Sequence, residues 1–179
     1  MAIKTSAWGE AKYPHLSNAD YAFNSNGVYH TKLTVKKSDA QEDIKSIDAE
    51  ISKLVAEEHK KKPGHTGLIK RAPLPYVIES DYVTFKFKCN ASGVNSKTKE
   101  PFTQRPTLVD HNLEQIPSDK NIWGGSIMRI NYEIIPYSNA SIGIGVSLRL
   151  KGAQISKLVE GSNINISGFE PVEPITEVF

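Results

Sequence analysis

One cysteine in 179 residues excludes an internal disulfide and any cysteine-rich zinc site. Long apolar runs are missing too. None approaches the roughly 20 residues that a membrane-spanning helix needs, and the opening M-A-I-K-T-S-A-W has no apolar core of a signal peptide. The expectation is a protein with no membrane association, made and used in a cytoplasm. Histidine is sparse and scattered: His15, His30, His59, His65 and His111 show no metal-ligand spacing, so neither a metal nor a cofactor is expected. No activated nucleophile and no acid/base pair stands out, which points away from an enzyme. Lysine and arginine are absent from 158–179, a stretch that holds Glu160, Glu170, Glu173 and Glu177. Residues 1–157 thus carry all 22 basic residues against 16 of the 20 acidic ones. A basic body and a weakly acidic end of one chain can compete for the same partner.

What the chain does have is a composition of 39% hydrophobic and 23% charged residues, that of a folded globular domain long enough to bury a core. The first 27 residues mix aromatics with Pro, Asn and Ser and read as a short strand followed by an ordered loop. Val28 to Lys36 alternates, with Tyr29, Thr31, Leu33 and Val35 opposed to His30, Lys32, Thr34 and Lys36, the pattern of a half-buried strand. From Ser38 to about Lys62 the period lengthens: Ile44, Ile47, Ile51, Leu54 and Val55 form a helical stripe. Ser38 with Gln41 fits a capping box, and Pro63-Gly64 stops the helix. R-A-P-L-P-Y then reads as a proline-rich linker.

Strands follow one another after Ser80. The stretch V-T-F-K-F-K-C-N-A-S sets Phe85, Phe87 and Cys89 against Lys86 and Lys88, within a strand from Tyr82 to Ala91. N-S-K-T-K is a polar turn. Phe102 to Asp110 reads as a strand that Pro106 confines to an edge or bulge. Ile127–Tyr137 and Ser141–Lys151 complete the set, the last extending toward Val159. The glycines of I-G-I-G-V lie inside that last strand, where they fit a bend or a close approach in a small barrel better than a phosphate loop. About five alternating strands and one helix describe a small closed or partly closed barrel.

A cation recurs on the outward face of successive strands: Lys86 and Lys88, then Arg129, then Arg149 and Lys151, with Tyr137 near a strand end. Single-stranded nucleic acid needs a positive groove for its phosphates and aromatic faces for its bases. Alternation by itself favours an ordinary wet sheet face.

The order T-F-K-F-K-C-N-A-S, S-K-T-K-E, I-W-G-G-S-I-M-R-I-N-Y-E-I-I-P-Y and A-S-I-G-I-G-V-S-L-R-L resembles the single-stranded DNA-binding proteins of T7-like bacteriophages. A-D-Y-A-F followed by G-V-Y-H-T-K-L-T-V fits the same family, and so does the closing E-V-F. The resemblance implies a mainly β OB-fold: a five-stranded antiparallel barrel over residues 1–159 with one capping α-helix. Residues 160–179 would form a flexible, weakly acidic C-terminal tail. It further implies a homodimer without enzymatic activity, in the cytoplasm of an infected bacterial host. Such a protein coats single-stranded DNA without strong sequence preference during replication, recombination and repair. The tail residues Glu170, Glu173, Glu177 and Phe179 would contact the phage DNA polymerase and the primase-helicase.

By position, Lys88 and Tyr137 match basic and stacking residues of the family's DNA face, and Lys4 lies where the family has N-terminal lysines. The expected DNA-binding set is Lys4, Lys86, Lys88, Arg129, Tyr137, Arg149 and Lys151. Asn90 departs from the pattern, standing where the family has an aromatic directly after the cysteine. Two other function classes share these features: an assembly protein whose barrel mediates protein contacts, and an RNA-binding OB-fold.

Overall fold

Alternation fixes the central strands. Val28–Lys36 (β3) and Tyr82–Asn90 (β5) pair antiparallel over nine residues each, from Val28 opposite Asn90 to Lys36 opposite Tyr82. Leu33, Val35, Val83, Phe85, Phe87 and Cys89 all turn inward and are buried. The structure is a computed structural model that describes residues 2–61, 64 and 68–159. The other elements, in chain order, are Lys4–Thr5 (β1), Gly9–Asp20 (β2), Gln41–Lys61 (α1), Tyr76–Glu79 (β4), Ser92–Val94 (β6), Pro101–Thr103 (β7), Thr107–Asp110 (β8), Ile127–Asn139 (β9) and Gly143–Lys157 (β10).

The pairings run in a circuit. β2 pairs with β3, β3 with β5, β5 with β10, β10 with β9, and β9 returns to β2. Two seams of this five-stranded barrel are short, with two residue pairs each. One is the parallel seam of Leu148 and Arg149 against Phe87 and Lys88; the other sets Gly9 and Glu10 against Met128 and Ile127. The barrel is therefore antiparallel except at β5–β10, and only partly closed. Its interior holds a chain of aromatic contacts, Tyr76 to Phe85, Phe85 to Phe87 and Phe87 to Tyr132, with ring centroids 5.2–6.1 Å apart. Burial of that order, about 25 cal/mol per Å² of apolar surface, is the main source of stability.

The helix covers one side, between the second and third barrel strands in sequence, and packs on β9 and β10. Ile47 and Ile51 carry its apolar face. Its start differs from the expected one. Lys36 to Ala40 forms a tight turn, Ala40 is buried, and its carbonyl accepts the first helical bond from Ile44 N–H at 3.0 Å. Gln41 donates to the Lys37 carbonyl instead of completing a box with Ser38. A buried alanine thus fills the cap position because the turn already satisfies the chain.

Three other segments depart from expectation. β2 is a full barrel strand, not a short strand and loop. Its register slips between Lys12 and His15, where Tyr13 adopts φ +51°, so a bulge erases the alternation. Phe102–Asp110 is two strands, β7 and β8, because Gln104–Pro106 leaves the ladder at the proline. The proline-rich segment is no free linker: Arg71 bridges to Ile144, Ala72 donates to the Ile144 carbonyl at 2.8 Å, and Tyr76–Glu79 joins β5. It approaches β10 where Gly145 leaves room, since a Cβ there would lie 2.9 Å from that of Ala72.

Candidate nucleic-acid interface

Antiparallel register places side chains of the same parity side by side across the sheet. Lys12 on β2 stands opposite Lys32 on β3, and Lys32 opposite Lys86 on β5. All three are exposed. The next outward row runs His15, His30, Lys88 and Arg149 across β2, β3, β5 and β10. The two rows make one cationic surface on the strands that, in an OB-fold, carry oligonucleotides.

Aromatics border it. The bulge pushes Tyr13 out to 74% exposure, and the Lys32 ammonium lies 5.9 Å from its ring centroid. Left-handed φ is costly for a bulky residue, of order 1 kcal/mol or more, and here it holds an aromatic ring beside a lysine. Tyr21, 63% exposed, and the fully exposed Phe23 sit in the loop joining β2 to β3.

The expected site residues divide on this frame. Lys86, Lys88 and Arg149 fall on the two rows. Lys88 and Arg149 line a common groove with Asn90, Lys97 and Phe102. Asn90 is exposed there, and its carbonyl accepts from the Gln104 amide at 2.8 Å. Phe102, from β7, supplies an aromatic to the same groove that Asn90 lines. Lys151 joins through Glu133, whose carboxylate lies 3.7 Å from Arg149 and 3.8 Å from Lys151.

Arg129 goes elsewhere. Its Nε donates to Gln154 Oε1 at 2.8 Å and its guanidinium lies 4.9 Å from the Trp8 ring centroid, in a second groove with Lys151. Tyr137 is half-buried against Gly145, whose missing Cβ would lie 3.1 Å from the phenol oxygen. Lys4, paired with Tyr132 through β1, stands near Asp43 and helps to hold that carboxyl down against the upward push of burial. Glu170, Glu173, Glu177 and Phe179 lie outside the described residues.

Sequence reasoning missed Lys12, His15, Lys32 and Tyr13. Lys32 and His30 were visible as the wet parity of their strand; what hid the rest was the bulge in β2. Cys89 is buried as its parity demands, and desolvation pushes its thiol up to about 11. The scattered histidines also regroup: the ligand atoms of His15, Asp20 and His30 lie within 4.8 Å of one another.

A family model described as the single-stranded DNA-binding protein of bacteriophage T7 matches residues 8–158. The chain belongs to that family. The single-stranded DNA-binding protein of Enterobacteria phage T3 is 30% identical over 176 residues, covering 87% of this chain and 76% of the relative. That of Escherichia phage T7 is 29% identical over the same length and shares. The crystal structure of the phage T7 protein superposes with a TM-score of 0.79 at 28% identity, over 93% of this chain and 97% of that one. A more distant phage protein, from Enc34 and solved in complex with single-stranded DNA, shares the fold at 17% identity and a TM-score of 0.54, over 88% of each chain.

Proposed function

We propose that this family member binds single-stranded DNA across the outer face of β2, β3, β5 and β10. The observation that carries the reading is the in-register row Lys12, Lys32 and Lys86, with Lys88 and Arg149 in the row beside it. Five cations on one curved sheet track a phosphate backbone whatever its sequence. Tyr13, Tyr21, Phe23 and Phe102 offer base-stacking surfaces, each such stack contributing about 1–3 kcal/mol. Lys151 extends the track past Glu133, Arg129 in the adjoining groove and Tyr137 make secondary contacts, and Lys4 turns toward Asp43 instead.

The finer reading rests on resemblance to the family. Residues 1–159 form the DNA-binding domain and 160–179 a tail that contacts the phage polymerase and primase-helicase. The protein works as a homodimer on DNA in replication, recombination or repair in the host cytoplasm. β4 supports the dimer: it pairs only with β5 among the described residues and leaves Val77 and Ile78 45% and 48% exposed on an edge.

Fluorescence anisotropy with labelled oligo-dT tests the face. The wild type should bind, with log affinity falling linearly against log salt. Lys32→Ala and Lys86→Ala should each weaken binding severalfold and reduce the salt slope by about 0.7 for every phosphate that is no longer neutralised. Unchanged affinity and slope in the Lys32→Ala, Lys86→Ala double variant would overturn the assignment.

A further inference from the structure

His15 and His30 stand directly opposite each other on β2 and β3. Their ring centroids are 4.6 Å apart with 33° between planes. Asp20 closes the group from the end of β2, its Oδ2 2.9 Å from His30 Nε2. The carboxylate is anchored on its other oxygen, where Oδ1 accepts the Ala22 N–H at 2.9 Å. His30 and Asp20 are half-buried and His15 is exposed, so the group opens to solvent on one side.

Two imidazole nitrogens and a carboxylate oxygen lie within 4.8 Å of one another, close enough for one ion to reach all three. A divalent cation satisfies all three groups at once. The donor set is two imidazole nitrogens and one carboxylate oxygen, the mixture preferred by Zn²⁺ and its late first-row neighbours. Ligand atoms around tetrahedral zinc, at about 2.0–2.2 Å from the ion, lie roughly 3.3–3.5 Å apart. The His30–Asp20 pair, at 2.9 Å, opens slightly to admit the ion, and rotation of His15, whose ligand atom lies within 4.8 Å of both, brings in the third ligand. The hydrogen between His30 and Asp20 gives way to the ion, so loading releases or relocates a proton.

We propose that His15, Asp20 and His30 form a binding site for a divalent transition-metal ion of the Zn²⁺ class. Three protein ligands leave a fourth position to water or to an oxygen of a passing phosphate. That position lies on the row that continues to Lys88, the cation facing His30 from β5. Lys88 lowers the affinity of the site for a free ion, and an ion once bound adds positive charge at the head of the track. The link to DNA rests on the function proposed above; the site itself does not.

Isothermal calorimetry with Zn²⁺ alone, on the tag-free full chain, tests the site without DNA. Wild type should bind one equivalent, and Co²⁺ should give the intense visible bands of a four-coordinate ion. His15→Ala, His30→Ala and Asp20→Asn should each weaken Zn²⁺ binding by about tenfold or more, with circular dichroism and thermal midpoint unchanged. His111→Ala, at an exposed histidine in the turn after β8, should bind as wild type. Absence of binding by the wild type would overturn the site, as would wild-type affinity in His15→Ala and His30→Ala. Anisotropy with oligo-dT at constant ionic strength then tests the link. Zn²⁺ should tighten binding in the wild type and not in His30→Ala; equal effects in both would refute the coupling while leaving the site to calorimetry.

Discussion

Glu133 is the residue on which the cationic face turns. Its side chain is only 15% exposed and sits between Arg149 and Lys151, so it holds two of the cations that a phosphate would otherwise meet. Exposed ion pairs contribute at most about 1 kcal/mol to stability, and the pair distances here are at the long end. On the proposed DNA face the carboxylate would matter more for DNA than for folding. Glu133→Gln should raise affinity for oligo-dT by roughly threefold to tenfold, a change of about 1 kcal/mol, and steepen the salt slope. Weaker binding would show that Glu133 orients the two cations productively. Arg149 and Lys151 were legible in the sequence as outward residues. The role of Glu133 was not legible, because it depends on the β9–β10 register that sets it opposite Arg149. The same limit applied to Arg129, whose attachment to Trp8 and Gln154 no alternation pattern contains.

Elements were legible where one face is dry and the ladder unbroken. β3 matches its expected bounds to the residue, and β5 to within one. Where a bulge, a proline or a crossing segment interrupts pairing, the alternation disappears, as in β2, at Gln104–Pro106 and along Arg71–Tyr76. The helix was visible from its isoleucines, yet the groups that seat it were not. Asp43, in its first turn, is buried and accepts a hydrogen bond from the Tyr132 hydroxyl of β9, with a further one from the Ala7 backbone. Tyr76 of β4 donates to Asp48 at 2.7 Å. Burial raises the Asp43 carboxyl above its ordinary 3.8, more than the two hydrogen bonds and nearby Lys4 lower it. The folded state therefore favours the protonated acid. Its contribution to stability is fully present below pH 3.8 and is lost as pH rises through the raised value. Asp43→Asn, which keeps an acceptor for Tyr132 without the charge, should escape this loss. Urea unfolding from pH 3 to 8 should show the variant gaining on the wild type as pH rises, then a constant difference. A difference that shrinks with pH would reverse the sign assigned to burial.

At the scale of the whole molecule, charge is segregated along the chain. The body is basic, and the last 22 residues carry four glutamates and no lysine or arginine. If this segment competes with DNA for the cationic face, removing residues 168–179 leaves affinity equal or higher, most visibly at low salt where screening is weak. Anisotropy on the truncated chain measures this directly. A fall in affinity would make the segment part of the binding surface. With only three glutamates removed (Glu170, Glu173 and Glu177) against five aligned cations and Lys151, the expected gain is modest, a few-fold at most.

The two short seams also set an order of events. One joins residues 87 and 88 to 148 and 149, the other residues 9 and 10 to 127 and 128, so both wait for partners distant in the chain. Local pairings, β9 with β10 and β2 with β3, can form early; ring closure cannot, since long-range contacts carry a larger loop-closure cost. On a ribosome, β5 is complete long before β10 has emerged. Phe85 and Phe87 then wait without the strand that covers them, and the lysines alternating with them keep that waiting strand apart from its copies on neighbouring chains. The cations of β5 thus serve the nascent chain itself, apart from the role proposed for them on DNA.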